Sequence, residues 1–357
     1  MNYEALWSPT KLGNLTIEHR LAMSPMTRNR STSEGVPGAM NARYYAQRAS
    51  NALIITEGTQ PSPVGQGYML TPGIYTAEQV AGWRKTTDAV HAAGGRILIQ
   101  LMHVGRIAHP ANTSTGAQPV APSPVRPATP MYTASGEQEI PVPRELSEAE
   151  IAEVVREHAF AAAAAIRAGA DGVEVHGANG YLVHQFLAPN TNLRHDRYGG
   201  SVQNRVRFAV EVVTAIAAEI GPERTGIRIS PGNPYNDIEE PDPREVYVEL
   251  VRQLAELRIA HLHVVHTGDE DLVRELRDAW PSTLILNRPE AGLSRRVKDI
   301  EDGLADIITV GALSLANPDL VERLRTGAEL NEPDPETFYG GTHVGYTDYP
   351  TLADNRR

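Results

Sequence analysis

Three side chains that can make strong hydrogen bonds, His176, Asn179 and Tyr181, lie within six residues of one another. They follow a short β-branched run at residues 172–175 that is bounded by glycines, a pattern typical of a buried parallel strand. If this strand belongs to a (β/α)8 barrel, the three residues lie at its carboxyl end, where such barrels place their chemistry. They could polarise a bound carbonyl compound there, or make only the ordinary hydrogen bonds of a barrel end.

The elements that would position these residues appear as an alternation of short apolar runs with longer amphipathic segments. Eight apolar runs occur, at residues 20–23, 52–58, 96–103, 172–176, 226–230, 261–266, 283–287 and 306–311. Helix signals lie between them, including the capping-box spacing of Thr76 with Gln79 and of Ser147 with Glu150. The pattern predicts an α/β fold, a parallel (β/α)8 TIM barrel. An open doubly wound sheet is the alternative, but the glycine motif after its first strand is missing.

Two segments fall outside this repeat. Residues 104–145, between the third strand and its helix, are rich in proline, threonine, alanine and glycine. A connection of this length over an active face predicts a lid-like loop insertion. Residues 332–357 form a C-terminal tail. We expect residues 1–357 to be a single TIM-barrel domain that carries both additions.

The composition disfavours several classes of partner. Acidic residues outnumber basic ones by 44 to 33, for a formal net charge of −11, which argues against nucleic acid and anionic membranes. No run approaches the roughly 18 apolar residues that span a bilayer, and the N-terminus lacks the pattern of a signal peptide. We therefore expect a soluble cytoplasmic protein. The chain has no cysteine, hence no disulfide and no thiolate nucleophile.

A metal site is not expected. His261 and His263 share one face of the predicted sixth strand, but His266 faces the other way, and there is no HExxH motif. No carboxylate is arranged beside the two histidines in the sequence, so we assign no metal ligands.

The segment 172–205, GVEVHGANGYLVHQFLAPNTNLRHDRYGGSVQNR, resembles the old yellow enzyme family of FMN-dependent ene-reductases. The resemblance covers nearly the whole chain, from Leu6 to the region of Tyr349, and its motifs are specific in combination. It implies that His176 and Asn179 hold the carbonyl oxygen of an enone, where donors stabilise an enolate, and that Tyr181 donates a proton to the α-carbon. It also implies that the tail closes over the barrel mouth.

The same resemblance implies a flavin site. The backbone of Pro25 and Met26 would lie beside the flavin ring, and the hydroxyl of Thr27 would hydrogen-bond the C4 carbonyl. Gln100 would pair with the pyrimidine edge, which needs both a donor and an acceptor. Arg228 would lie near N1 and C2, where reduction leaves negative charge.

Some of these residues have alternative roles. Arg228 could instead pair with a carboxylate inside the barrel such as Glu174, because a buried arginine needs a partner. The substrate pocket is expected to contain Tyr68, Met102 and Tyr346. Met102 stands where the family commonly has a tryptophan, which predicts a more plastic and apolar pocket.

The sequence departs from the family at the flavin's phosphate. The family holds the phosphate with the loops after strands seven and eight, and a Gly–Arg pair at the end of strand eight clamps it. Here Gly311 is kept, but Ala312 stands at the arginine position. The strand-seven loop carries Pro289, which lacks an N–H, and Glu290, which adds a carboxylate.

This departure divides the functional prediction. Losing one charge-assisted contact costs about 1.5–3 kcal/mol, unless Arg288 or Arg295 takes the clamp's place. We favour a barrel without cofactor that catalyses ring closure or isomerisation of a polyunsaturated carbonyl compound in secondary metabolism, where orientation in an apolar pocket supplies much of the acceleration. The alternative is an FMN-dependent ene-reductase driven by NAD(P)H. A pure binding protein is disfavoured because the polar triad is intact. A small molecule is the expected partner, and a homo-oligomer is left open.

Overall fold

The computed structural model describes residues 3–354 and contains the predicted barrel. Eight parallel strands close on themselves in chain order, because the last pairs with the first. Their bounds are β1 Leu21–Met23, β2 Leu53–Ile55, β3 Ile97–Leu101, β4 Gly172–Gly177, β5 Thr225–Ile229, β6 His261–Val265, β7 Thr283–Asn287 and β8 Ile307–Val310. Each strand overlaps one of the eight apolar runs, which confirms the prediction of a TIM barrel.

Helices surround the barrel and bury their apolar faces against it. They span Ala39–Ala46, Ala77–Ala92, Glu148–Arg167, Leu182–Leu187, Val202–Ile220, Pro243–Glu256, Glu270–Ala279, Leu293–Glu301, Ala312–Ala316 and Leu320–Thr326. Both predicted capping boxes are present: Thr76 with Gln79, and Ser147 with Glu150. None of the helices in residues 3–354 is long and apolar enough to cross a membrane.

An N-terminal hairpin closes the end of the barrel opposite to the candidate site. Its antiparallel strands, Thr10–Leu12 and Leu15–Ile17, bring Leu12 and Ile17 against apolar residues at the starts of the barrel strands. Because the hairpin fills this end with aliphatic side chains, access to the interior is left to the carboxyl ends of the strands.

The predicted insertion is an ordered wall. It contains a hairpin, Pro130–Thr133 with Gly136–Glu139, and a parallel pair, Val120–Ala121 with Arg144–Glu145. Its buried residues Val104, Ile107, Met131 and Ile140 form one apolar cluster with Tyr181. The insertion therefore packs directly against the residues after β4.

The C-terminal tail lies against the segment that follows β1. Arg28 donates hydrogen bonds to the carbonyls of Phe338 and Gly345, and Arg30 donates to the carbonyls of Thr337 and Thr342. The tail therefore reaches the barrel mouth, as predicted. Residues 355–357 of the predicted tail lie outside the described residues.

Candidate active site

The turn after β4 is pinned to the segment after β5. Asn179 has a positive φ of 57° and Gly180 one of 76°. The amide of Asn179 donates to Ser230 Oγ at 2.9 Å, and Asn236 Nδ2 donates to the carbonyl of Asn179 at 2.8 Å. A Cβ at position 180 would lie 2.6 Å from the carbonyl oxygen of Tyr235, so only glycine allows this close approach.

The two predicted carbonyl-binding side chains are prepared as donors. Asn179 Oδ1 accepts a hydrogen bond from Asn233 Nδ2 at 3.0 Å, which leaves Asn179 Nδ2 to donate to a ligand. His176 is 5% exposed, and burial together with the charge of Arg228 holds its pKa well below the usual range. It is therefore neutral at neutral pH and has one ring N–H. Within residues 3–354, its buried Nδ1 has no hydrogen-bond partner.

Tyr181 stands beside His176 and is linked to a second phenol. The ring centroids of His176 and Tyr181 are 5.0 Å apart, and the hydroxyls of Tyr181 and Tyr68 are hydrogen-bonded at 3.0 Å. Burial raises the pKa of both phenols, and the nearby phenols of Tyr235 and Tyr339 add to this. Tyr181 therefore keeps its proton and can donate it. The structure brings His176, Asn179, Tyr181 and Tyr68 together at one site.

Arg228 and Gln100 line the interior on either side of β4. Arg228 is in register with His176, is 6% exposed, and its Nε is buried without a hydrogen-bond partner among the described residues. Gln100 Nε2 donates to Glu174 Oε1 at 2.8 Å, so its own Oε1 remains as an acceptor. Arg228 and Glu174 influence each other's charge, but the hydrogen bonds of Glu174 go to other residues.

Two of the partners of Glu174 are His261 and His263, which corrects our prediction that no carboxylate lies beside this pair. Glu174 Oε2 lies 3.1 Å from His261 Nε2 and 2.9 Å from His263 Nδ1, so a carboxylate does lie beside the pair. His261 reaches it across Gly226, where a Cβ would overlap the imidazole ring. Burial alone would raise the pKa of Glu174, but the two histidines hold it well below its usual range. In the described part of the chain no three-residue group has the geometry of a metal site.

The segment after β1 borders the end of β8. Pro25, Met26 and Thr27 are half-buried, and a Cβ at Gly311 would lie 3.2 Å from Met26 Sδ. On the other side, Met102 is 3% exposed and packs on Gly58, where a Cβ would lie 2.5 Å from its sulfur. Met102 also belongs to the apolar cluster of Tyr181. The roles of these residues as walls of a cofactor and substrate pocket stay predictions.

Tyr346 lies elsewhere. It is fully buried and stacks on Tyr44 with ring centroids 4.1 Å apart, and Asn41 Nδ2 donates to its hydroxyl at 3.2 Å. The guanidinium of Arg30 lies 4.6 Å from its ring centroid. We therefore correct its assignment to the substrate pocket: Tyr346 anchors the tail against the segment after β1.

Several site residues were missed by the sequence reasoning. Asn233 orients the amide of Asn179, Asn236 holds the backbone of that residue, and Tyr235 and Tyr339 act on the pKa of Tyr181. Three of them follow β5, so a polar stretch directly after a predicted barrel strand was the available signal. Tyr339 comes from the tail, and no local pattern indicates its place.

The described residues fit the ring of a flavin. A buried guanidinium with an unpaired Nε, at Arg228, and an amide with a free acceptor, at Gln100, match carbonyl and N–H groups of a pyrimidine ring. Rescue of the phosphate clamp by Arg288 or Arg295 is not seen, because both are bound to carboxylates.

Comparisons with known proteins identify relatives over the whole chain. Residues 5–331 match the model of the NADH:flavin oxidoreductase / NADH oxidase family. The chain is 42% identical to a probable flavin mononucleotide-dependent alkene reductase of Leishmania infantum, over 98% of each chain. It is 40% identical to 12-oxophytodienoate reductase 7 of Oryza sativa subsp. japonica, over 98% of this chain and 95% of the relative. The structure of morphinone reductase in complex with tetrahydroNAD superposes with a TM-score of 0.94, at 43% identity and 99% coverage of each chain.

These relatives overturn our preferred function. A cyclase or isomerase without cofactor, acting in secondary metabolism, is wrong as the main interpretation, because the proteins that are similar over nearly the full length are named as reductases, one of them as a flavin mononucleotide-dependent alkene reductase. The preference for no cofactor is wrong for the same reason. The departures at the phosphate loops, namely the missing clamp, Pro289 and Glu290, were too little evidence for a change of reaction.

Proposed function

Since the chain belongs to the NADH:flavin oxidoreductase / NADH oxidase family, we propose that it is an FMN-dependent ene-reductase that reduces the C=C bond of α,β-unsaturated carbonyl compounds with NAD(P)H. One observation carries the proposal beyond the family. The guanidinium of Arg228 is buried beside His176 and its Nε has no protein partner in residues 3–354. A buried polar group is normally paired, so this site needs a polar ligand to be complete.

Bound FMN would supply the hydride that adds to the β-carbon of the enone. Gln100 Oε1 would accept from the pyrimidine N–H, and Arg228 would face the carbonyl and nitrogen that become negative on reduction. Thr27 would donate its hydroxyl, and the backbone of Pro25 and Met26 would lie along the ring. Gly311, at the end of β8, would leave room at its edge.

The substrate carbonyl would be held by two donors. His176 presents a neutral imidazole N–H, and Asn179 presents the Nδ2 that its bond from Asn233 leaves free. Donors that are already oriented in a buried site stabilise the enolate oxygen without reorganisation, and this is usually the largest electrostatic contribution to such reactions. These two residues are the proposed oxyanion site.

The proton for the α-carbon would come from Tyr181. Its raised pKa keeps it protonated, and its hydrogen bond to Tyr68 offers a second phenol from which the proton can be replaced. Met102 and the apolar side chains of the insertion form a dry wall around it. The wall favours hydrophobic enones.

The test is turnover of a simple cyclic enone by the purified protein supplied with FMN and NAD(P)H. We expect oxidation of NAD(P)H that depends on both FMN and 2-cyclohexenone. Tyr181→Phe should retain flavin binding but lose most of its enone reduction, because the proton donor is removed. Tyr132 is an exposed phenol of the insertion, and Tyr132→Phe should behave as wild type. Protein saturated with FMN that reduces no enone would contradict the proposal. A cytoplasmic location and a homo-oligomer stay predictions.

A further inference from the structure

The loop after β7 leads into three arginines, and their guanidinium groups are already engaged. Arg288, 4% exposed, donates from Nε and Nη2 to both oxygens of Asp299 at 2.6 and 3.0 Å. Its Nη1 and Nη2 donate to both oxygens of Glu270 at 2.7 and 2.9 Å. Asp299 is 1% exposed, so withdrawal of Arg288 toward another anion would leave a buried carboxylate short of a partner.

The two other arginines also have protein partners. Arg295 donates to Asp299 and, at 3.1 Å, to Glu270. Arg296 uses Nε, Nη1 and Nη2 on the backbone carbonyls of Ala291, Thr309 and Pro289. Each arginine near the end of β7 therefore serves the fold.

The loops after β7 and β8 offer few other groups that could bind a phosphate. TIM barrels commonly bind phosphate with the loops after the seventh and eighth strands. Here the first loop contains Pro289, without an N–H, and Glu290, an exposed carboxylate. The second begins with Gly311 and Ala312, whose methyl group cannot bind an anion. An incoming dianion finds no uncommitted arginine on these loops.

The part of the barrel mouth where the flavin ring would lie, at the ends of β4 and β5, differs from the loops after β7 and β8. Arg228 has a buried Nε without a protein partner, and His176 has a buried Nδ1 in the same condition, among the residues that the structure describes. At the ends of β4 and β5, therefore, one buried arginine and one buried histidine keep a nitrogen for a ligand, whereas the three arginines near the end of β7 are engaged.

We propose that this protein recognises its flavin by the ring and gains little from the phosphate, so that riboflavin binds with an affinity close to that of FMN. The proposal rests on the proposed function, because it concerns the same flavin site. Its physical basis is the missing charge-assisted contact: each such contact to a phosphate is worth roughly 10- to 100-fold in affinity.

The test is a pair of titrations of the flavin-free full-length protein, one with FMN and one with riboflavin, followed by quenching of flavin fluorescence. We expect the two dissociation constants to agree within about tenfold, since that is the lower bound for one charge-assisted contact. An FMN affinity more than about tenfold above that of riboflavin would overturn the proposal, because a charge-assisted contact to the phosphate would then be present.

A substitution at position 312 tests whether the missing arginine accounts for the small contribution of the phosphate to affinity. Ala312→Arg places a guanidinium at the first residue after Gly311 and should tighten FMN about 10- to 100-fold while riboflavin is unchanged. Ala312→Gln is the matched control, since it adds length and hydrogen-bonding capacity without charge. If the arginine variant tightens FMN no more than the glutamine variant, the phosphate does not reach these loops, and the part of the proposal that traces its small contribution to them is overturned.

Failure of the inference and failure of the function are distinguishable. Tight, FMN-selective binding together with enone reduction would overturn the inference and leave the ene-reductase intact. Equal binding of both flavins without enone reduction would support the inference and contradict the function. Binding of neither flavin would overturn both.

Discussion

The two halves of the barrel mouth treat buried charge in opposite ways. At the ends of β4 and β5, Arg228 and His176 keep buried nitrogens without protein partners within residues 3–354. At the end of β7, Arg288 is equally buried but makes four hydrogen bonds to Asp299 and Glu270. An unpaired buried polar group costs about 1–3 kcal/mol, so the first region is complete only with a ligand, whereas the guanidinium of Arg288 is already fully paired within the protein. Burial alone therefore does not separate these two arginines; the presence or absence of protein partners does.

The largest effect on stability should come from breaking the ion pairs of Arg288 at the end of β7. Arg288→Gln removes the main partner of Asp299 and should lower the free energy of unfolding by about 3 kcal/mol, as expected when one member of a buried ion pair is lost. Flavin affinity should hardly change, because Arg288 is committed to the fold. Urea unfolding and flavin titration of the same variant check both parts.

The control for this variant is Arg274→Gln, which removes an exposed pair with Asp271 and should cost well under about 1 kcal/mol. A loss of flavin affinity in Arg288→Gln that is as large as its loss of stability would contradict the division between the two halves.

In the ligand-binding half the largest effect should be on turnover. Asn179→Ala removes one donor to the carbonyl oxygen and should lower kcat about 100- to 1000-fold with enone substrates, the range seen for such donors. Flavin content should stay the same. Asn233→Ala, which frees the amide of Asn179 to rotate, should give a smaller loss, because it acts through orientation.

Asn14→Ala, at an exposed turn near the closed end of the barrel, is the matched control and should leave kcat unchanged. Steady-state kinetics with saturating FMN measure all three variants. Equal losses in Asn179→Ala and Asn14→Ala would mean that the effect is on the fold and not on the carbonyl.

A third substitution compares the two arginines directly. Arg228→Gln should weaken FMN and riboflavin alike, by about 10- to 100-fold, since it removes one charge-assisted contact to the ring. Its cost to the stability of the flavin-free protein should be smaller than that of Arg288→Gln, because Arg228 Nε lacks a protein partner to lose. Weakening of FMN alone would place Arg228 at the phosphate and contradict its proposed position at the ring.

Much of the fold was predictable because its signals are local. The eight apolar runs fall on β1 to β8, and the capping boxes at Thr76 and Ser147 start helices where predicted. Each of these depends on residues within one element, so periodicity and spacing are enough. The grouping of His176, Asn179 and Tyr181 was predictable for the same reason.

The errors concern partners that are distant in the chain. Glu174 of β4 meets His261 and His263 of β6 across the intervening β5, and Arg288 meets Glu270 from the preceding helix, which no local pattern reveals. Tyr346 was placed by its position in the tail, whereas stacking on Tyr44 decides where it packs. The wrong choice of a cofactor-free reaction came from weighing a few departures in two loops, Ala312 with Pro289 and Glu290, against similarity along the whole chain.

The smallest predicted effect is on the pH dependence of stability. It concerns the hydrogen bonds of His263, which connect the two halves of the mouth inside the barrel. His263 lies between Glu174, below the ring end, and Thr309 of β8, and Arg228 and His261 also face it. Burial, and to a lesser degree Arg228, lowers its pKa to about 4 although Glu174 opposes the shift. Between pH ~6.5, the usual value of an unfolded histidine, and pH ~4, the unfolded chain binds a proton that the folded chain excludes. The contribution of neutral His263 to the free energy of unfolding should therefore be fully present above pH ~6.5 and decrease as the pH falls toward ~4.

His263→Gln should remove this part of the pH dependence while its amide can still donate to Glu174. We expect the unfolding free energy of the wild type to fall by about 1 kcal/mol more than that of the variant between pH 6 and pH 5, from the linkage of one proton. Urea unfolding at pH 7, 6 and 5 measures it, with the exposed His195→Gln as control. Parallel pH profiles of wild type and His263→Gln would contradict this prediction, because they would show that folding does not lower the pKa of His263 and that its bond to Glu174 offsets its burial.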